Sequence, residues 1–98
     1  MEKVRREKAW AAARAAAELL RQEFHATRVV VFGSLARDGS FTKWSDVDIA
    51  AWGIDPKDTL RAIGVVMDMD AGVEINLVDV NTATPGLLEA IARDGVQL

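Results

Sequence analysis

Three short runs of β-branched and apolar residues limit what this 98-residue chain can become: RVVVFG (28–33), DVDIAAW (46–52) and VEINLVDV (73–80). Each is short and bounded by turn residues, so each reads as a strand. Around them the period changes. In residues 1–24, Trp10, Ala13, Ala17, Leu20 and Phe24 recur at spacings of three and four, one face of a helix. Alanine is the strongest helix former and is small enough to let that helix lie close against a sheet. Asp55-Pro56 and Thr84-Pro85 each supply an N-cap followed by a proline in the first helical turn, so two further helices start there. Leu60, Ile63, Val66 and Met67 form the expected buried stripe of the first; Leu87, Leu88 and Ile91 face inward in the second, which Gly95 ends. The connector 34–44 (SLARDGSFTKW) reads as one or two helical turns and a loop. The order is α-β-α-β-α-β-α, a two-layer arrangement of three strands with the helices on one face of the sheet. The other face is left partly open, and chemistry is expected there.

Length bounds the chain to a single domain, 1–98. Half of it is hydrophobic, enough for one modest core. No apolar run nears the roughly 20 residues of a membrane span, and no apolar signal segment follows the basic start MEKVRREKAW. A cytoplasmic location is expected. With no cysteine and one histidine, His25, disulfides, iron–sulfur clusters, cysteine zinc sites and two-histidine metal sites drop out. The net charge of −3 disfavours direct nucleic-acid binding, which needs a basic face.

The run DVDIAAW poses the chemical question, because it carries two carboxylates into a buried strand. Side chains alternate along a strand, so Asp46 and Asp48 point to one face and Val47 and Ile49 to the other. Their backbone positions lie about 7 Å apart at the usual strand rise. Like charges at that spacing repel, and burial raises their pKa. A divalent cation resolves both costs. Mg²⁺ takes one or two carboxylates and completes its shell with water and phosphate oxygens; two such ions about 4 Å apart activate an attacking oxygen and stabilise a leaving group. An isolated Asp-x-Asp is common and is usually only a capped, solvated strand end. This one follows the strand 29–32, Gly33-Ser34 and a short connector. A glycine after a strand lets a phosphate approach the backbone, a helix start behind it favours negative charge, and the Ser34 hydroxyl adds a hydrogen bond. Gly-Ser alone is most often a turn; the combination is more specific.

GSLARDGSFTKWSDVDIA, with its phrases FGSLAR and SDVDIA, resembles the signature of the DNA polymerase β superfamily of nucleotidyltransferases. It is most similar to the minimal nucleotidyltransferases (MNT), small proteins encoded beside HEPN-type partners, and the resemblance covers nearly the whole chain. It implies an α+β nucleotidyltransferase fold with a small mixed sheet. It implies Gly33 and Ser34 as nucleotide-binding residues and Asp46 and Asp48 as catalytic Mg²⁺ ligands. The implied reaction transfers a nucleoside monophosphate, AMP from ATP, to a hydroxyl and releases pyrophosphate, with two Mg²⁺ ions. The implied partner is a HEPN-type toxin, some of which are modified with AMP on a tyrosine, and the implied role is that of antitoxin. So small a domain leaves little surface for a base pocket and an acceptor site, so a partner chain is expected to supply one or both; homo- and hetero-oligomers both stay open.

Two departures from the family pattern matter. The connector from Ser34 to Asp46 is one residue longer than the family's commonest spacing, the extra residue falling at Asp38-Gly39-Ser40. The third strand reads INLVDV, which places Asn76 where the family carries a third carboxylate. An asparagine is a neutral, weaker ligand and no general base. Glu74, two residues earlier on the same face, is the candidate third catalytic and metal-binding residue in its place; Asp79 falls on the opposite face. If neither Glu74 nor Asn76 completes the set, the alternative is a weak or inactive nucleotidyltransferase-fold antitoxin that acts by binding. Arg37 and Lys43 flank the site as phosphate contacts or as solvated surface charges. Trp44 stacks on a base or packs on its loop, Ser45 orients the aspartates, Trp52 shares their face at the strand's far end, and His25 serves the end of the first helix.

Overall fold

The computed structural model describes residues 2–37, 46–69 and 72–98, and side chains from Arg5 onward within these. The connector features at 38–45, including Lys43, Trp44 and Ser45, lie outside the described residues.

Helix α1 spans Glu2–Phe24. Its buried face is Ala9, Ala12, Ala13, Ala16, Ala17, Leu20 and Phe24, with Trp10 packed at the margin. The alanine stripe lets the helix axis approach the sheet. The helix stops where His25 adopts a left-handed conformation (φ 59°) and the Ala26 N–H donates back to the Leu20 carbonyl at 3.1 Å. His25 thus ends the helix through its backbone. Strand β1 (Arg28–Phe32) follows, then a 3₁₀ turn, Gly33–Leu35, at the start of the connector. Strand β2 is Val47–Trp52, antiparallel to β1 with Val31 opposite Ile49 and Phe32 opposite Asp48.

Asp55 caps the next turn as its sequence suggested, accepting from the Lys57 N–H at 3.1 Å ahead of a 3₁₀ turn (Pro56–Asp58) and helix α2 (Thr59–Met67). The buried stripe of α2 differs from the expected one. Ala62 and Val66 are buried and Ile63 is partly covered, whereas Leu60 is 84% and Met67 56% exposed. The helix presents its smaller side chains to the sheet, as α1 does, and turns two large ones outward. Strand β3 (Ile75–Asp79) is shorter than the run 73–80 and lies parallel to β2, with Asn76 opposite Asp48. After a 3₁₀ turn (Val80–Thr82), helix α3 (Pro85–Asp94) begins with the Thr84 hydroxyl accepting from the Leu87 N–H at 3.2 Å. Of its expected inward residues, Ile91 is buried, Leu87 half-buried and Leu88 exposed.

The mixed sheet has the order β3-β2-β1-β4, one strand more than expected. The addition is β4 (Val96–Gln97), antiparallel to β1. It also corrects the expectation that all helices share one face. β2, β3 and β4 run in the same direction, so both β2-α2-β3 and β3-α3-β4 are parallel crossovers, and these are right-handed in nearly all proteins. The first steps outward from β2 to β3; the second steps back across the whole sheet. Two right-handed crossovers in opposite directions put their helices on opposite faces. Accordingly, Val29, Val31, Ile49 and Ala51 pack with α1 and α2, while Val30, Phe32 and Ala50 pack with Ile91 of α3. Among the described residues no helix is long and apolar enough to cross a membrane.

Candidate active site

The α3 face of the sheet is covered unevenly. Trp52, Val78 and Val80, at the far ends of β2 and β3, join the α3 cluster. At the near ends stand Asp46, Asp48 and Asn76, all half-buried.

β2 and β3 position this trio. Asp48 and Asn76 are register partners, so they project side by side, and Asp46, immediately before β2, is two residues from Asp48 and shares its side. The Asn76 Nδ2 donates to Asp46 Oδ2 at 3.3 Å and to Asp48 Oδ1 at 3.5 Å. Two anionic oxygens require a donor between them, which fixes the amide with its NH₂ toward the pair. Burial pushes the Asp48 carboxyl above its usual range; the hydrogen bond from Asn76 opposes this, and the charge of Asp46 adds to it.

Gly33 closes the other side. It sits directly after β1 with φ +72°, a conformation that disfavours a side chain. A Cβ there would lie 2.6 Å from Asp48 Oδ2. The bare glycine therefore leaves open a niche against the carboxylates. Ser34, half-exposed, follows in the turn that buried Leu35 anchors. Because this is one 3₁₀ turn, little helix dipole acts on an anion here; attraction would come from the close backbone and the hydroxyl. The Arg37 N–H closes the turn onto the Gly33 carbonyl at 3.3 Å, and its side chain is exposed.

The turn has one support that its own sequence does not signal. The Arg6 guanidinium on α1 donates to the Leu35 carbonyl at 3.0 Å, across 29 residues of sequence. Trp52 packs under the Arg28 guanidinium, 4.7 Å from ring centroid to Cζ. Asp79 is buried on the α1–α2 side, accepting from the Thr59 hydroxyl and, at 3.0 Å, from the Asn81 N–H.

Glu74 does not join the carboxylate pair in a three-acid group. It is exposed, and its carbonyl accepts from the Val47 N–H at 2.9 Å. Among the described residues no three Asp, Glu, His or Cys side chains are grouped to hold a metal. The ligand set is thus two carboxylates, bridged by the Asn76 amide, beside an open glycine niche. It fits a hard cation that draws its remaining ligands from water and phosphate, not an all-protein cage.

Known proteins share this fold. A solved structure assigned as a minimal nucleotidyltransferase is 29% identical, with TM-score 0.71 and 95% of each chain covered. A toxin–antitoxin structure with AMP-PNP is 22% identical at TM-score 0.71, covering 87% of this chain and 70% of the other. The complex of a tri-AMPylated Shewanella oneidensis HEPN toxin with its MNT antitoxin is 19% identical at TM-score 0.64, covering 91% and 70%. The last two establish likeness of fold. A search of curated protein sequences found no match. The family model for polymerase beta nucleotidyltransferases matches residues 15–98. The glycine niche, the paired aspartates and the mixed sheet beneath them belong to a chain of the polymerase beta nucleotidyltransferase family.

Proposed function

We propose that this protein is a Mg²⁺-dependent nucleotidyltransferase of the minimal type that moves AMP from ATP to a hydroxyl on a HEPN-type partner and so acts as its antitoxin. The observation that carries the reading is the approach of Gly33 to Asp48, with Asp46 gathered to the same point by Asn76. A phosphate chain entering the glycine niche would meet the backbone on one side and the carboxylate pair on the other. Partner and nucleotide follow from the neighbours of like fold, which include an AMP-PNP complex and an AMPylated HEPN toxin with its antitoxin.

In the proposed reaction the acceptor oxygen bonds to the α-phosphorus as the bond to the β-phosphate oxygen breaks. Pyrophosphate leaves and the hydroxyl proton passes to solvent or to a base on the partner. Bound Mg²⁺ would neutralise charge on the phosphates. Asp46 and Asp48 would hold it, Gly33 and Ser34 would seat the phosphates, and Asn76 would keep the two carboxylates convergent before nucleotide arrives. Arg37, exposed at the end of the turn, would meet a phosphate or an acidic stretch of the partner.

A second reading, neutralisation by binding without transfer, is favoured by the neutral Asn76 and by the lack, among the described residues, of a third acidic group joined to the pair. One experiment separates the two. The protein is incubated with ATP, Mg²⁺ and the protein encoded beside it, and the partner's mass is measured. Additions in AMP steps support transfer; a stable complex of unchanged mass supports the binding reading. Asp46→Asn with Asp48→Asn should cut transfer by about 10³-fold, the rate equivalent of several kcal/mol. Label persisting at the wild-type rate would refute the site.

A further inference from the structure

Asn76 takes no cation ligand role in this geometry, and its place limits how many cations the centre can hold. Resting on the nucleotidyltransferase reading above, we propose that Asn76 makes this a one-ion centre: its amide clamps Asp46 and Asp48 into a ligand pair for a single nucleotide-bound divalent cation and withholds the ligand that a second would need.

Asn76 is the register partner of Asp48 across the parallel β2–β3 pair. A carboxylate at that position would complete three acidic groups around one point, the charge that two divalent cations about 4 Å apart share. The amide instead leaves two. It also spends both of its donor hydrogens on that pair, at 3.3 and 3.5 Å from Nδ2. Its Oδ1 could ligate a cation at the pair only after the amide rotates and releases both carboxylates. The neighbouring acids do not fill the gap. Glu74 is exposed and outside any group of three, and Asp79 lies on the other side of β3, engaged by Thr59 and Asn81. The phosphates of the nucleotide complete the shell of one ion, which Mg²⁺ tolerates with one or two carboxylates. An acceptor hydroxyl would then lose its proton without a second ion to assist, which makes the partner's own groups matter to the rate.

The test counts ions rather than turnover. Mn²⁺ is titrated into wild-type protein saturated with a non-hydrolysable ATP analogue, and bound Mn²⁺ is counted from the loss of the free-ion EPR signal. Wild type should bind one Mn²⁺ per chain and Asn76→Asp two. Asn76→Ala should keep one but bind it about 10-fold more weakly, the loss typical of removing a group that orients metal ligands. Two ions in wild type overturn the proposal, as does Asn76→Asp remaining at one, or Asn76→Ala binding its ion as tightly as wild type. The Ala variant keeps the test open if Asn76→Asp does not fold. Wild type binding neither Mn²⁺ nor the analogue would overturn the proposal and the enzymatic reading together, whereas a wrong ion count alone leaves that reading standing.

Discussion

The two faces of the sheet are built to different rules. The face toward α1 and α2 is continuous and almost wholly apolar, nineteen buried residues among those described, Asp79 apart, with the alanines of α1 drawing helix and sheet together. Among the described residues the face toward α3 holds four buried apolar residues, Val30, Phe32, Ala50 and Ile91, flanked by the partly buried Trp52, Val78, Val80 and Leu87, and leaves the near end of β2 and β3 to Asp46, Asp48 and Asn76. A core this small is not duplicated. One face stabilises the domain, and the other accepts repelling charges because the first offsets their cost.

This contrast can be broken experimentally. Leu20→Ala, on the closed face, should destabilise by about 3 kcal/mol, more than Ile91→Ala, which empties the smaller cluster at about 2 kcal/mol. Chemical denaturation measures both, and equal losses would erase the distinction between the faces. Gly33→Ala should destabilise by about 1–2 kcal/mol from its left-handed backbone alone. It should also weaken nucleotide binding, because the new methyl displaces the Asp48 carboxylate; unchanged affinity would show that the niche is not used. Asp48→Asn should raise the melting temperature in EDTA at pH 7. The folded pKa of Asp48 is raised, so its stabilising contribution is full below the unfolded value of about 3.9 and is lost as pH rises through the folded one. The gain should shrink as the pH is lowered toward 4, and a lower melting temperature for the variant at pH 7 would contradict the sign. Smallest of all, Leu60→Ala should shift stability by less than about 0.5 kcal/mol despite removing a large apolar side chain, because Leu60 is exposed.

That last case shows what the sequence displays and what it hides. The strands could be read because β-branched residues cluster in them, and the helix starts because Asp55-Pro56 and Thr84-Pro85 carry their own caps. The paired aspartates could be read from parity along a strand, and their convergence is what the structure shows. The stripe of α2 was misplaced at Leu60 and Met67 because two apolar stripes compete there. Val66 is buried and Ile63 packs on the core as expected, but Ala62 takes the inward place given to the bulkier Leu60 and Met67, because its small side chain permits the closer approach. β4 is two residues long and has no periodicity to detect, and without it the crossing of α3 to the other face could not be deduced. Asn76 was visible as a departure from the family pattern, but not as a donor to both aspartates, which depends on cross-strand register. The support of the glycine turn by Arg6 depends on tertiary contact alone.

The pairing of β3 ties the two faces to each other. A slide of one residue along β2 would turn Asn76 toward the alanines and drive Asp79 out from under Thr59, since odd and even positions trade sides together. The buried carboxylate that never meets the site thus belongs to the same register that sets Asn76 beside Asp48: one alignment of β3 seats Asp79 under Thr59 and the amide between the aspartates.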